Sequence, residues 1–209
     1  MYKRQGLRYV LISTCPETKD NDFTWKDFQA RNNSELVAIY GNFANRVLSL
    51  IKKYYDGKIP KVESKNRVDE LVLEDVKVLK EEIESNLDSF KFREATKNLM
   101  NIARVGNKYL AETEPWKIKE SDPLRVEQIL HTSFIIISYL AIVSEPFLPF
   151  TSVKLKNMIG LNDYSWDDLD KIFGTINYNF TIVDIEILFK RIEDSEIEYQ
   201  IDKLKKSAS

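Results

Sequence analysis

The sequence contains a single cysteine, Cys15, and a single histidine, His131, among its 209 residues. One cysteine cannot form an intrachain disulfide, and these two residues cannot supply the ligands of a Cys/His zinc site. Any Ser–His or Cys–His catalytic pair would depend on His131 alone, which lies just before a strongly apolar helical run and is expected to be a partly buried structural residue. Cys15 precedes Pro16 and is expected to be a small apolar filler. Metal-centred and histidine-dependent chemistry are therefore disfavoured.

Glycine and proline are scarce, with six of each, and neither sign of charge dominates, since 31 basic residues nearly balance 33 acidic ones. Few helix breakers and 43% hydrophobic residues predict a globular, helix-rich chain that is long enough to bury its own core. The net charge of −2 argues against a surface coated in positive potential, which is the usual feature of a sequence-independent duplex binder. Any contact with nucleic acid is expected to be local.

Long hydrophobic runs are also missing. The longest covers residues 134–143, about ten residues, whereas a membrane-spanning helix needs about twenty. The amino-terminal segment lacks the charged, apolar and small-residue regions of a secretory signal. We therefore expect a cytoplasmic protein with no membrane partner, in which this run is the central buried helix.

Five segments have the 3.6-residue periodicity of amphipathic helices. They are expected at about residues 6–14, 26–55, 68–87, 91–111 and 123–143. Asp122 followed by Pro123 predicts the start of the fifth. The rest of the chain is less regular, with two short helices near 151–161 and 165–173, an alternating stretch within 174–189 that could be extended, and a charged helix at the end. These patterns predict an all-α helical bundle with a less regular carboxy-terminal tail that folds back across it.

The helix expected over residues 26–55 has one apolar face and one polar face. Asn42 and Arg46 are four residues apart on the polar face, so their side chains point the same way. The amide of Asn42 both donates and accepts hydrogen bonds, and the planar guanidinium of Arg46 offers several donors. Together they can recognise the edge of a base by hydrogen bonding. The pair suits a cytosine in particular, because its amino group donates while its ring nitrogen and carbonyl oxygen accept. The same four-residue spacing also occurs on helix faces that are only solvated, which is the alternative to base recognition.

The segment ETEPW contains a second departure from ordinary packing. Pro115 ends the helix over residues 91–111, and Trp116 follows at the helix end rather than on an apolar stripe. A tryptophan presented in this way can stack on bases of single-stranded RNA, although covering the end of the bundle is the alternative. Trp25 and Trp166 lie in the contexts DFTWKDF and DYSWDDL, for which a role in the core or as a hydrophobic staple is expected.

The sequence has no motif for catalysis. It lacks a glycine-rich phosphate loop, a nucleophile elbow and a metal-binding helix motif. Acidic pairs such as Asp167 and Asp168 are expected to be solvated. We therefore predict no catalytic and no metal-binding residue in this chain.

Two blocks of the sequence resemble the carboxy-terminal half of bacterial methionyl-tRNA synthetases. The first runs from LRYVLIST to KKYYDGKIP over residues 7–60, and the second is NKYLAETEPWKIKESDP over residues 107–123. The resemblance extends from about Gly6 to the final helix, so residues 1–5 precede it. It implies a stem-contact connector over residues 1–25 and, over residues 26–209, an α-helical bundle of the class I aminoacyl-tRNA synthetase anticodon-binding type.

The resemblance also implies roles for individual residues. The asparagine and arginine with which this family recognises the anticodon match Asn42 and Arg46. Its proline–tryptophan pair matches Pro115 and Trp116, with the tryptophan stacking on the first anticodon base. Some members have a further asparagine where this sequence has Ala38, which puts any contact from that position in doubt.

By this resemblance the chain is the tRNA-reading part of methionine–tRNA ligase. The HIGH-like and KMSKS-like motifs of the catalytic domain are missing from it, so the chain alone is expected to be inactive and to hold no cofactor. The whole enzyme would attach methionine to its tRNA with ATP and magnesium, and with zinc where cysteines are inserted in the catalytic fold. The expected partners are the anticodon loop of methionine tRNA and the parent's catalytic domain. The alternative is a helical protein-interaction module without an RNA role, which would dock through the helix from Ser195 to Lys206.

Overall fold

The computed structural model describes residues 2–17, 20–64, 66–172 and 176–208. Its helices, in chain order, are α1 (Tyr2–Ser13), α2 (Trp25–Arg31), a π-helix (Asn32–Gly41), α3 (Asn42–Tyr55), α4 (Arg67–Asp88), α5 (Phe92–Thr113), α6 (Pro123–Val143), α7 (Pro149–Ile159), a 3₁₀ helix (Trp166–Lys171) and α8 (Asp194–Ala208). Within the described residues, the β pairing consists of one isolated antiparallel bridge between Lys58 and Thr181. The prediction of an all-α fold is confirmed.

Helix α6 forms the centre of the fold. Every residue from Ile129 to Val143 is buried, and α3, α4, α5 and α7 pack around the helix. Asp122 caps its amino terminus by accepting a hydrogen bond from the backbone N–H of Arg125 at 3.0 Å, and Pro123 is its first residue, as predicted. By length and composition α6 could cross a membrane, but 89% of its most apolar window is buried inside the fold. It is a core helix.

The long helix expected over residues 26–55 is not α-helical throughout. Its middle ten residues, Asn32–Gly41, form a π-helix, so the prediction of one uninterrupted α-helix is wrong. The side chains of Asn32 and Asn33 donate hydrogen bonds to the carbonyl oxygens of Lys190 and Ile192 in the tail, at 3.0 and 2.9 Å. These partners are about 160 residues away in the chain, which is why local periodicity did not predict the segment. The α-helical register resumes at Asn42.

The tail returns across the bundle, as predicted. Residues 176–193 contain no regular element apart from the bridge at Thr181. Gln29 donates to the carbonyl oxygen of Ile192 at 3.1 Å, and α8 then packs against α2. Residues 173–175, which belong to the predicted short helix and extended stretch, lie outside the described residues. The tail thereby covers the junction of α2 and the π-helix.

Helices α3 and α5 approach each other closely at Gly106. A Cβ atom on Gly106 would lie 2.2 Å from Cζ of Phe43, whose ring is fully buried. The absence of a side chain at this position therefore allows the two helices to meet. The next polar residues along the same contact, Asn42 and Asn107, come together at the surface.

We expect Gly106→Ala to destabilise the protein. Overpacking of a core costs about 1–3 kcal/mol, which exceeds the gain of about 1 kcal/mol in helix propensity from glycine to alanine. Urea unfolding followed by circular dichroism would measure the loss. Combining the change with Phe43→Leu should recover part of it, because the ring that clashes is removed. A Gly106→Ala protein as stable as wild type would contradict this view of the contact.

Candidate nucleic-acid interface

The polar face of α3 begins with Asn42 and continues one turn later with Arg46. Asn42 is exposed and Arg46 is half-buried, whereas Phe43 and Val47, each one residue further along, are buried in the core. This alternation results from the amphipathic pattern of α3. It holds both polar side chains on a rigid, well-packed helix.

Trp116 lies at a corner formed by the end of α5. The helix ends at Thr113, and the next residue, Glu114, adopts a left-handed conformation with φ of 41° and donates its backbone N–H to the carbonyl oxygen of Leu110 at 3.1 Å. Pro115 is buried, but Trp116 is 40% exposed. In contrast, Trp25 and Trp166 are partly buried and pack against the core, as predicted. The exposed fraction favours presentation of the Trp116 indole over simple coverage of the bundle end.

The structure brings the two sequence features into one site. The guanidinium carbon of Arg46 lies 5.4 Å from the centroid of the Trp116 ring, which is a cation–π contact. Asn42 is joined to Arg46 indirectly, since both donate hydrogen bonds to the side-chain oxygen of Asn107, at 3.2 and 3.3 Å. We call Asn42, Arg46, Asn107 and Trp116 the α3–α5 corner.

Asn107 is the member of this corner that sequence reasoning missed. Its amide nitrogen donates to the carbonyl oxygens of Ile39 and Ala103, both at 3.0 Å, and so links the π-helix to α5. Its oxygen is left to accept from Asn42 and Arg46. The available signal was an asparagine inside a helix, where its intrinsic propensity is low, within the NKYLAETEPW block.

The charge of the corner is not neutralised. Among the described residues Arg46 makes no ion pair, whereas nearby Lys117 is paired with Glu114 at 2.9 Å and Arg104 faces Glu35 at 3.8 Å. The site therefore combines a free cation, amide groups and an exposed aromatic face. These are the groups that recognise unpaired bases by stacking and by hydrogen bonds to their edges.

Ala38 is exposed on the π-helix, one turn before Asn42. Together with Asn42 it lines a groove of about 580 Å³ whose opposite wall includes Ile185, Leu188 and Phe189. The methyl side chain of Ala38 has no hydrogen-bonding group. No side-chain hydrogen bond can therefore be made from this position.

His131 has the structural role expected from the sequence. It is 3% exposed, its Nδ1 lies 2.9 Å from the carbonyl oxygen of Pro60, and its ring stacks on Tyr178 at 6.0 Å between centroids. Over the described ranges of the chain, no group of three or more His, Cys, Asp and Glu residues is arranged to hold a metal ion.

Two family models match the chain. One is described as the anticodon binding domain of methionyl tRNA ligase and matches residues 59–207. The other is described as tRNA synthetases class I (M) and matches residues 1–48. Asn107 and Trp116 lie in the first match, and Asn42 and Arg46 lie in the second. The α3–α5 corner is therefore built from both matched segments.

Curated relatives include methionine–tRNA ligases from several bacteria. The enzyme of Phocaeicola vulgatus is 50% identical over 202 residues, which is 97% of this chain and 30% of the relative. The enzyme of Christiangramia forsetii is 50% identical over 204 residues, 95% of this chain and 30% of the relative. The chain thus spans about 30% of the length of the curated relatives that it matches.

Solved structures show the same fold. The free-state methionyl-tRNA synthetase of Mycobacterium tuberculosis superimposes with a TM-score of 0.83 at 22% identity, covering 90% of this chain and 39% of that one. The same enzyme in complex with methionyl-adenylate gives a TM-score of 0.80 at 21% identity, covering 90% and 37%. At this level of identity the likeness supports the fold alone.

Proposed function

Because the chain belongs to the methionyl-tRNA ligase family, in the portion that carries the anticodon-binding domain, we propose that it binds the anticodon loop of methionine tRNA. In this proposal, Trp116 stacks on the first anticodon base, a cytosine, next to the buried Pro115 that fixes the corner. Asn42 and Arg46 engage its Watson–Crick edge. Unstacked loop bases are the usual targets of sequence-specific RNA recognition.

The observation that carries this proposal is the hydrogen bonding of Asn107. Since Asn42 donates its amide nitrogen to Asn107, its amide oxygen is directed to act as an acceptor, which suits the amino group of a cytosine. Arg46 uses one nitrogen on Asn107 and keeps further donors for the ring nitrogen and carbonyl oxygen of the base. A uracil would present a carbonyl oxygen to the acceptor of Asn42, and both groups would remain unsatisfied.

The proposal is tested by the binding of two anticodon stem-loops that differ only in cytosine or uracil at the first anticodon position. An unsatisfied polar pair costs about 1–3 kcal/mol, so we expect about 5- to 150-fold tighter binding of the cytosine hairpin. Fluorescence anisotropy with the 209-residue chain would measure both affinities. A hairpin with a scrambled loop serves as the control. Equal affinity for the cytosine and uracil hairpins would contradict the proposal, whatever the affinity for the scrambled hairpin.

The role of Asn107 gives a separate prediction. Asn107→Ala removes the acceptor that orients Asn42 and Arg46, so the preference for cytosine over uracil should fall by about threefold to tenfold, the value of one ordinary hydrogen bond. Asn101→Ala is the matched control, because Asn101 is also half-buried on α5 but bonds to Asn98 instead. The same loss of preference in both variants would argue against a specific role for Asn107.

The activity of the whole protein is part of the proposal. We infer that the parent attaches methionine to its tRNA in the cytoplasm, using ATP with magnesium in a catalytic domain that this chain lacks. Residues 1–25 would form the connector to that domain, and residues 26–209 the anticodon-binding domain. Incubation of the chain with methionine, ATP and pyrophosphate should show no exchange. Appreciable exchange of pyrophosphate into ATP by the pure chain would contradict the assignment of catalysis to a domain outside it.

The protein-interaction alternative has no support from the matched families or the relatives. In the structure, the helix that would serve as its docking surface packs against α2, and Ile197 is buried there.

A further inference from the structure

A second group of cationic and aromatic residues lies beside the α3–α5 corner. Lys53 lies over the ring of Tyr54 at 5.5 Å, and Lys119 lies 5.5 Å from the same ring and 5.4 Å from that of Tyr55. Lys53 is exposed, and the two tyrosines and Lys119 are partly exposed. We call these four residues the lysine–tyrosine cluster.

The cluster extends the corner along the same two chain segments. Lys53 is seven residues beyond Arg46 on α3, which places it on the same face and about 10 Å further along the helix axis. Lys119 follows Trp116 by three residues in the turn after α5. The cation–aromatic pair of Arg46 and Trp116 is thus followed by a second one, built from the next turns of both segments.

The positive charge of the cluster is available to a partner. Neither Lys53 nor Lys119 makes an ion pair within the described part of the chain, and both ammonium groups lie against aromatic rings. Burial, and after it the charge of Glu127, raises the pKa of the Tyr55 hydroxyl to about 12. Tyr55 therefore stays neutral and supports Lys119 through its ring. The rings hold two ammonium groups at the surface without cancelling their charge.

We propose that Lys53 and Lys119 bind phosphates of the RNA strand that continues from the base held at Trp116. This inference depends on the proposed function. Phosphate contacts position a nucleic acid without reading its sequence, whereas base contacts provide specificity. At about 3.4 Å per nucleotide in a stacked strand, the 10 Å offset corresponds to about three nucleotides, a distance that fits within one hairpin. The near-neutral net charge of the chain makes such local cations the source of attraction.

The experiment measures binding of the cytosine and uracil hairpins to Lys53→Ala, Lys119→Ala and the double variant over a range of potassium chloride concentrations. Release of about 0.7 counterion per phosphate contact corresponds to about a fivefold loss of affinity per lysine near 0.1 M salt. The loss should be equal for both hairpins, and the salt dependence should become shallower by about 0.7 per lysine. Lys97→Ala is the matched control, because Lys97 is an exposed lysine paired with Glu94 at the far end of α5.

Lys53→Arg and Lys119→Arg keep the charge and should keep the affinity. Wild-type affinity and salt dependence in the alanine variants would overturn the inference. A loss of affinity in the arginine variants as large as that in the alanine variants would also overturn it, because binding would then not depend on the charge. The proposed function fails separately, by absence of a cytosine preference in the wild-type chain. A chain that prefers cytosine but binds normally without both lysines would refute only the phosphate contacts.

Discussion

Replacing Arg125 with methionine is expected to lower the free energy of unfolding by about 3–5 kcal/mol, because it leaves the buried carboxylate of Asp69 without its partner. Asp69 is fully buried at the start of α4, and Arg125 on α6 donates to both of its oxygens, at 2.6 and 2.8 Å. Tyr109 on α5 donates to the same carboxylate at 2.5 Å. The network therefore joins three helices. It anchors the end of α5 that contains Asn107 and precedes Trp116.

Arg67→Met is the matched control for this change. Arg67 begins the same helix α4 and faces Glu70 at 3.3 Å, but both side chains are largely exposed. Exposed ion pairs contribute about 0–1 kcal/mol, so this variant should unfold almost as wild type does in urea. Similar losses in both arginine variants would show that burial of Asp69 is not the cause.

The same network predicts how stability depends on pH. Burial disfavours the charged form of Asp69, but hydrogen bonds from Arg125 and Tyr109 outweigh this penalty and lower its pKa below the usual value. The ionised carboxylate therefore stabilises the fold above its unfolded pKa of about 3.9, and this stability is lost as pH falls through the lower folded pKa. Without Arg125 the buried carboxyl would be more stable when protonated. The difference in unfolding free energy between wild type and Arg125→Met should shrink as pH falls from about 7 towards 3.9.

Trp116→Ala is expected to weaken binding of the cytosine hairpin by about 5- to 150-fold. Stacking of a base on an aromatic side chain contributes about 1–3 kcal/mol, and the change also removes the surface on which Arg46 rests. Trp116→Phe keeps an aromatic face and should retain most of the affinity. Because Trp116 is 40% exposed and outside the packed core, its removal should leave stability close to wild type.

A folded Trp116→Ala chain that binds the hairpin as tightly as wild type would contradict the stacking role. A loss of affinity that is accompanied by a lower unfolding midpoint would instead indicate that the indole supports the bundle end. Hairpin affinity and the unfolding midpoint together therefore distinguish a base-stacking role of Trp116 from a role in covering the end of the bundle.

Local signals in the sequence predicted the helices well where a helix is defined by its own residues. Asp122 and Pro123 predicted the start of α6, because a capping carboxylate and a proline without an N–H suit a first turn whatever follows. The π-helix was not predicted, because the asparagine contacts that accompany it are made with the distant tail. Local pattern contains no information about such partners.

The candidate site was predicted in parts. The four-residue spacing of Asn42 and Arg46 placed them on one face, and ETEPW indicated an exposed tryptophan. The contact between these features depends on the close approach of α3 and α5 at Gly106 and on the bridge made by Asn107. Both are tertiary interactions between segments about 60 residues apart, so neither could be derived from helix periodicity. The net charge could not predict the lysine–tyrosine cluster either, because it sums all charged residues and so cancels local cations against distant acidic residues.

The proposed function depends on the distinction of a cytosine from a uracil by Asn42 and Arg46. Its most direct test is the ratio of dissociation constants for the uracil and cytosine hairpins, measured for wild type and for the double variant Asn42→Ala, Arg46→Gln. The ratio should be about 5 to 150 for wild type and should fall towards one in the double variant while helical circular dichroism is retained. A wild-type ratio of one, or an unchanged ratio in the folded double variant, would contradict the proposed role of Asn42 and Arg46.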